Sequence, residues 1–337
     1  MGDTYSKLEL LNIYVFNDLR EFNFGRVAHF INIYLKNLMG LRPFTIMLET
    51  SNLCNYTCET CPTKRDLIDR KRIPMSFDVF KKVIDNSKDY VYKVLLHWTN
   101  EPLTNRNLDI FIRYCKKNNL FTEFSTNGAM LNEEVSRRLL LAGLDKIEIC
   151  LDGITRESFE AFRGADELEV VKMNIINFVK LRNSLKANTY IEIQTIANKF
   201  NQNELKKIEE FVRKAGVDKL FIKTFGLVST HYSDSERKML MKKYLPDKAG
   251  VKRRYVDVNS TTSKRPSCSN VKDSIPVTVD GRVSICCVDF ASKFYLGDLT
   301  KHNLPDVLNS IKAQAIIKEG SNVNLSICKN CVMPDGR

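Results

Sequence analysis

Between residues 44 and 225 the chain repeats one pattern: a short apolar run, then a stretch with helical periodicity. The apolar runs at 44–49, 91–98, 121–125, 146–151, 190–197 and 219–225 read as six strands. Helical segments at 77–87, 108–117, 132–141, 156–162, 170–182 and 204–214 separate them. Ser76 is placed to cap the first of these, Asn132 opens the third, and Gly143 and Gly216 stop two others. Strands alternating with helices build a parallel sheet with right-handed crossovers. Six units fall short of the eight of a closed barrel. The expected fold is therefore α/β, a partial (βα)6 TIM-like barrel over 44–228, with its ligand site at the C-terminal ends of the strands.

The flanks break this rhythm. Residues 1–43 read as a helical extension whose apolar stripe begins at Leu8, Leu10, Leu11, Tyr14 and Val15 and continues at Phe30, Ile31, Ile33, Tyr34 and Leu35. Residues 229–265, with a charged helix at 235–243 and a polar stretch at 259–264, read as a linker. Residues 266–337 read as a small α+β domain. It holds a hairpin of strands 277–279 and 283–286 turned at Asp280-Gly281, then a helix over 305–318.

Composition narrows the class. Of 337 residues, 43% are hydrophobic and 27% charged, which suits a globular chain that buries a core. No run of 18 apolar residues is present, so no membrane span or membrane partner is expected. The net charge of +12 is spread without a basic block, so it reads as a solvated surface, not a nucleic-acid footprint. No signal-peptide pattern opens the sequence, so a cytoplasmic location is the expectation. Ten cysteines in a reducing compartment argue for metal ligation over disulfides.

Three of them, Cys54, Cys58 and Cys61, fall within eight residues directly after the first strand. Thiolates are soft ligands that suit iron–sulfur clusters or zinc. A closed structural zinc site wants four ligands. Three leave one iron of a [4Fe-4S] cluster open to an outside ligand.

This C-x3-C-x2-C spacing, with Glu49-Thr-Ser-Asn-Leu-Cys54 before it and Pro62 after it, resembles the radical S-adenosylmethionine (SAM) superfamily. The resemblance implies that the open iron binds SAM, which is cleaved reductively to a 5′-deoxyadenosyl radical that takes a hydrogen atom from substrate. Further motifs follow in order, each at the end of its own strand. Thr99-Asn100-Glu101-Pro102 is similar to the family's Gly-Gly-Glu-Pro segment, which holds the SAM amino group, with both glycines replaced. Ser125-Thr126-Asn127-Gly128 is similar to its ribose-contacting turn. Cys150-Leu151-Asp152-Gly153 resembles its Ser-Leu-Asp-Gly, with Cys150 in place of serine. Arg163 matches an arginine for the SAM carboxylate, and Ile196 a residue against adenine. Thr60 stands where the family often has an aromatic residue.

A second set, Cys268, Cys286, Cys328 and Cys331, makes a four-thiolate site that zinc or an iron–sulfur cluster could fill. Cys268, Gly281 and Cys286 resemble the C-x(9–15)-G-x4-C signature of the SPASM domain, and Leu296-Gly297-Asp298-Leu299 a turn in it. Four cysteines match the shortened, one-cluster (twitch) form, which implies an auxiliary [4Fe-4S] cluster held by all four. Cys287 neighbours Cys286; strand alternation would turn it to the opposite face and leave Cys286 as the ligand. Cys115 reads as a core residue, and His29, His97, His231 and His302 form no spaced pair. Trp98, at the end of the second strand, is placed to wall the SAM site or to pack in the core.

The resemblance implies a radical SAM oxidoreductase that draws electrons from a reductant such as flavodoxin or ferredoxin. The favoured substrate is a small polar molecule of sugar or aminocyclitol type; the alternative is a peptide-modifying SPASM maturase forming cross-links, thioethers or epimers. A non-enzymatic zinc protein binding nucleic acid would not account for a three-cysteine loop at a barrel mouth. The catalytic acid or base stays unassigned, with Lys223 and Cys150 as candidates.

Overall fold

The computed structural model describes residues 12–20, 23–38, 44–61, 70–227, 232–251, 267–268, 271, 274–328 and 331. Leu8, Leu10, Leu11, Pro62, His231 and the polar stretch 259–264 lie outside the described residues.

Six parallel strands form in chain order: β1 (Thr45–Leu48), β2 (Lys93–Leu95), β3 (Phe121–Thr126), β4 (Lys146–Cys150), β5 (Tyr190–Ala197) and β6 (Lys219–Thr224). Each pairs with the next, as right-handed βα repeats require. Their outer face carries Ile46, Leu48, Val94, Phe124, Ile147, Ile149, Ile191 and Ile193, all fully buried in one core.

Helix α1 (Phe24–Leu38) precedes the barrel. The outer layer is built from α2 (Phe77–Asp85), α3 (Leu108–Lys117), α4 (Glu133–Leu141), α5 (Arg156–Arg163), α6 (Leu168–Ser184) and α7 (Leu205–Ala215). Ser76 caps α2 and Asn132 caps α4, each accepting from a backbone N–H in the first turn. Gly143 and Gly216 take positive φ at the stops the sequence assigns them. The fold is a partial (βα)6 barrel with a C-terminal appendage.

Three features of the C-terminal part differ from the sequence reading. The first strand of the hairpin, β7 (Ser274–Val277), pairs antiparallel with the second and also in parallel with β1. With β8 (Arg282–Ser284) and β9 (Tyr295–Asp298) it extends the barrel sheet to nine strands in the order β6-β5-β4-β3-β2-β1-β7-β8-β9. An unclosed barrel leaves the outer edge of β1 with unpaired backbone groups, and β7 fills that edge. The hairpin loop is three residues, not two: Gly281 N–H donates to Thr278 O and Thr278 N–H to Arg282 O. The helix expected over 305–318 is two, α9 (Leu304–Asn309) and α10 (Ile311–Ser321). They break at Ser310, whose hydroxyl caps the second.

Before α9 comes α8 (Asp234–Tyr244), in the segment read as a linker. A Ser233–Glu236 capping box starts it, and Leu240, Met241 and Tyr244 pack with Phe162, Phe225 and Leu227 beside β6. At the opposite mouth, Tyr14, Phe30, Phe44, Tyr92 and Phe121 form one aromatic cluster that closes the N-terminal ends of the strands. Buried Arg26 fixes this plug through Asp145 (2.8 Å) and Asp18 (3.0 Å).

Candidate functional site

The cysteine loop follows β1 directly, and its three thiols are half-buried and outside any disulfide. Burial pushes the Cys54 thiol up to about 12, and raises Cys58 against the pull of the Arg163 cation. Such thiols stay protonated unless a cation compensates their charge, which a metal cluster does. The loop is held from three sides. Asn55 Oδ1 accepts from Asn127 Nδ2 (2.8 Å), and Cys58 Sγ donates to Arg163 O (3.1 Å). Thr60 O accepts from the Tyr232 hydroxyl (2.9 Å), while Glu59 accepts from the Tyr244 hydroxyl (2.6 Å) and pairs with Lys243 (2.5 Å).

Glu101, at the end of β2, is 2% exposed. Its carboxylate accepts from Leu103 N–H (3.1 Å), the Thr126 hydroxyl (2.7 Å) and Asn127 N–H (2.8 Å). A carboxylate offers about four lone-pair sites, so roughly one is left for a further donor such as an ammonium. Burial raises its pKa even so. Thr99 and Asn100, which replace two glycines, bond the segment that leads into the loop: the Thr99 hydroxyl donates to Glu49 (3.1 Å) and the Asn100 amide to Ser51 O. Pro102 opens a short 3-10 turn that Glu101 caps.

Ser125 and Cys150 sit side by side on β3 and β4, with oxygen and sulfur 3.4 Å apart. Asp152, after β4, is fully buried; it pairs with Arg163 and accepts from Ile196 N–H (2.5 Å). The arginine expected to meet a carboxylate therefore already meets one inside the protein. Its Nε remains buried without a hydrogen-bond partner among the described residues. The Ile196 side chain packs on the Phe162–Tyr244 cluster. The structure thus gathers the ends of β1 to β5 and α5 around one mouth.

The second set of cysteines lies beside β8. Cys268, Cys286, Cys328 and Cys331 are half-buried, and burial raises Cys328 to about 11, with Cys286, Cys331 and Cys268 close enough to add to that rise. Here the strand-alternation argument fails: β8 ends at Ser284, so Cys286 and Cys287 lie in a turn beyond it. Their thiols are in mutual contact, and that contact is the largest cause raising Cys286. Cys287 also accepts at its carbonyl from the Trp98 indole N–H (2.8 Å), which docks this turn onto the barrel mouth. Cys115 is a core residue, fully buried on α3.

Sequence reasoning missed one residue pair. Glu49 accepts two bonds from Arg70 (2.7 and 3.0 Å), one from Thr99 and one from Val279 N–H (3.1 Å), while Arg70 also donates to Phe290 O (3.1 Å). One buried carboxylate thus ties β1, the Thr99 segment and the hairpin turn together. The only signal in sequence was a charge at the end of an otherwise apolar strand.

The radical SAM superfamily model matches residues 48–244, and an iron–sulfur cluster-binding domain model of SPASM type matches 268–332. The chain belongs to the radical SAM superfamily. A radical SAM enzyme of this build carries a SAM-binding [4Fe-4S] cluster, auxiliary iron–sulfur ligation and SAM. The donor set fits: two groups of half-buried free thiols, one of three and one of four, with a spare acceptor site on Glu101 beside the first.

Among characterised proteins, the chain is 23% identical to the tungsten-containing aldehyde ferredoxin oxidoreductase cofactor-modifying protein of Pyrococcus furiosus, over 52% of this chain and 50% of that one. It spans about half the length of the first curated relatives it matches. Its fold is like that of BtrN in complex with AdoMet and 2-DOIA, with a TM-score of 0.53 at 18% identity over 86% of this chain and 93% of that one. It is also like Streptococcus suis SuiB bound to precursor peptide SuiA, with a TM-score of 0.56 at 12% identity over 82% and 66%. Among the described residues no helix is long and apolar enough to cross a membrane.

Proposed function

We propose that this radical SAM enzyme oxidises or otherwise modifies a C–H bond of a small polar molecule, of sugar or aminocyclitol type; in an oxidation SAM, cleaved to methionine and 5′-deoxyadenosine, would be the oxidant and the auxiliary cluster would accept the electron left on the substrate radical. One observation carries the substrate size. The barrel lumen is floored by the aromatic plug and by Lys93, which pairs with Glu123 (2.6 Å) and donates to the Tyr14 hydroxyl (3.2 Å). A ligand entering from the mouth meets this floor within the depth of the strands.

In this reading Cys54, Cys58 and Cys61 hold the SAM-binding cluster, and Cys268, Cys286, Cys328 and Cys331 the auxiliary one. When bound, the first cluster supplies the electron that splits SAM and starts hydrogen abstraction. Glu101 takes the SAM ammonium on its remaining acceptor site, a charge-assisted bond in a water-poor setting. Asn127 is held by Asn55, so its turn faces the ribose in a fixed pose. Arg163, neutralised by Asp152, would offer its unpartnered Nε to the SAM carboxylate. Ile196 lies against adenine. A flavodoxin or ferredoxin in the cytoplasm supplies electrons.

The test is anaerobic reconstitution with iron and sulfide, then incubation with SAM and dithionite. Formation of 5′-deoxyadenosine is expected, and it is expected to vanish when Cys54, Cys58 and Cys61 are replaced together. Continued 5′-deoxyadenosine formation in that triple variant would end the reading. A peptide that is turned over while amino sugars are not would replace the small-molecule assignment with a peptide-modifying one.

A further inference from the structure

The lumen face of the barrel carries charge in layers. Strand alternation turns Lys93 and His97, Glu123 and Ser125, Lys146, Glu148 and Cys150, Glu192 and Gln194, and Lys223 to the concave side, because Val94, Phe124, Ile147, Ile149, Ile191 and Ile193 pack on the helices. Four lysines and three glutamates thus share this face, Lys219 being the register partner of Glu192 at the start of β6. In the deep layer Glu123 meets Lys93 (2.6 Å) and Lys146 (3.2 Å), and Lys146 also meets Glu192 (3.4 Å).

In the upper layer Glu148 on β4 reaches Lys223 on β6 at 3.5 Å, a chord over β5 that only the concave side allows. It is a loose ion pair, and among the described residues Glu148 accepts no hydrogen bond closer than this. Their side chains are 13% and 29% exposed, so both still meet the lumen space. Beneath the chord lies Gln194, 7% exposed, whose amide nitrogen points to Cys150 Sγ (3.6 Å) and whose carbonyl oxygen is buried without a hydrogen-bond partner among the described residues. His97 closes the side, its Nδ1 accepting from Ser125 N–H (3.1 Å). Glu148 sits one pleat below Cys150, about 7 Å deeper along β4, while Gln194 is the register partner of Cys150 and Lys223 that of Ile196, so the chord climbs from below the Cys150 level towards the mouth.

Enclosed charges and amides with unfilled hydrogen-bonding capacity are costly unless a ligand completes them. Burial would raise the Glu148 carboxyl, but Lys223, Lys146 and His97 outweigh it and keep it ionised. An ionised carboxylate with free lone pairs accepts bonds and donates none.

We propose that Glu148, Gln194 and Lys223 form the substrate-recognition layer and select a small molecule bearing a protonated amine next to a hydroxyl or carboxylate. The amine sits on Glu148 and the Gln194 carbonyl, and the neighbouring acceptor on Lys223. A ligand with only one of these features would separate the pair and leave one enclosed charge unmatched. The inference rests on the small-molecule radical SAM reading and adds the groups that choose the substrate.

The test uses the anaerobically reconstituted full chain with SAM bound, and saturation-transfer NMR with two probe pairs: glucosamine against glucose, and serine against glycerate. The amines are expected to bind about tenfold or more tighter than their isosteres, the worth of one charge-assisted hydrogen bond. Glu148→Gln is expected to erase that preference, and Lys223→Met to weaken both amines. Glucosamine binding alone assigns the acceptor as hydroxyl, and serine binding alone assigns it as carboxylate. Isosteres binding as well as the amines, no amine binding at millimolar concentration, or an amine preference surviving in Glu148→Gln would each overturn the proposal. If Glu148→Gln does not fold, the wild-type amine preference and Lys223→Met decide it. Formation of 5′-deoxyadenosine by the wild type is scored in the same samples. Its absence refutes the radical SAM reading, whereas its presence without amine preference refutes only this inference.

Discussion

Replacing Arg70 by Met would remove the cation from the Glu49 pair while keeping much of its bulk. Glu49 is completely buried and the Arg70 side chain is 9% exposed, so solvent screens the pair little. Breaking such a pair from one side costs about 3–5 kcal/mol. Two features of the site set the lower end of that range. Val279 N–H and the Thr99 hydroxyl still donate to the carboxylate. Burial also raises Glu49 even with Arg70 present, so the stranded group can take up a proton. A loss of about 3 kcal/mol corresponds to roughly a hundredfold increase in local opening. The assay is hydrogen exchange at the Val279 amide, which bonds directly to Glu49 and belongs to the hairpin, not to the barrel. Because a buried pair removed whole is often neutral, Glu49→Gln together with Arg70→Met should recover most of the protection. Acceleration below about tenfold in Arg70→Met, or a double variant no better than the single one, would refute the idea that this pair fastens the cluster-bearing turn to the barrel.

Two further outcomes follow from the same kind of reasoning. Burial would raise the Asp145 carboxyl, but Lys116 (2.7 Å) and Arg26 (2.8 Å) hold it below its ordinary value of 3.8. Its contribution is therefore present above the unfolded value and lost as pH falls through the folded one, so Asp145→Asn should destabilise the neutral protein by about 3 kcal/mol and flatten the acid limb of a denaturation profile below about pH 4. An acid limb as steep as that of the wild type would contradict the linkage. Gly281 has φ +86°, and a β-carbon there would collide with the Thr300 methyl, so Gly281→Ala should cost about 1–3 kcal/mol. Adding Thr300→Ala relieves the collision and not the backbone strain, so denaturation midpoints should show partial rescue; full rescue would mean that the strain is negligible.

Much of this protein was legible from local pattern. Six apolar runs separated by helical stretches suffice for a parallel sheet, because handedness and crossover rules leave few other ways to bury them. Caps such as Ser76 and Asn132 are read from one residue and its position, since the bonds they make lie within one turn. The cysteine loop is legible for the same reason: its three thiols lie within eight residues of one another.

What the sequence did not disclose depends on residues far apart in the chain. Nothing local marks β7 as the partner of β1, because that pairing is decided by which sheet edge the open barrel leaves bare. The expected 305–318 helix is cut at Ser310, whose backbone leaves the helical region (φ −61°, ψ 145°), and the two pieces both pack against β9. Glu49 looked like a lone charge until Arg70, Thr99 and Val279 converged on it. The lumen charges are the clearest case. Glu148 and Lys223 stand 75 positions apart on strands that do not touch, and only the curvature of the sheet brings a carboxylate and an ammonium together over the strand between them. Sequence alone selects the residue types and their strand faces; the closing of the sheet into a barrel decides which of them share one enclosed space.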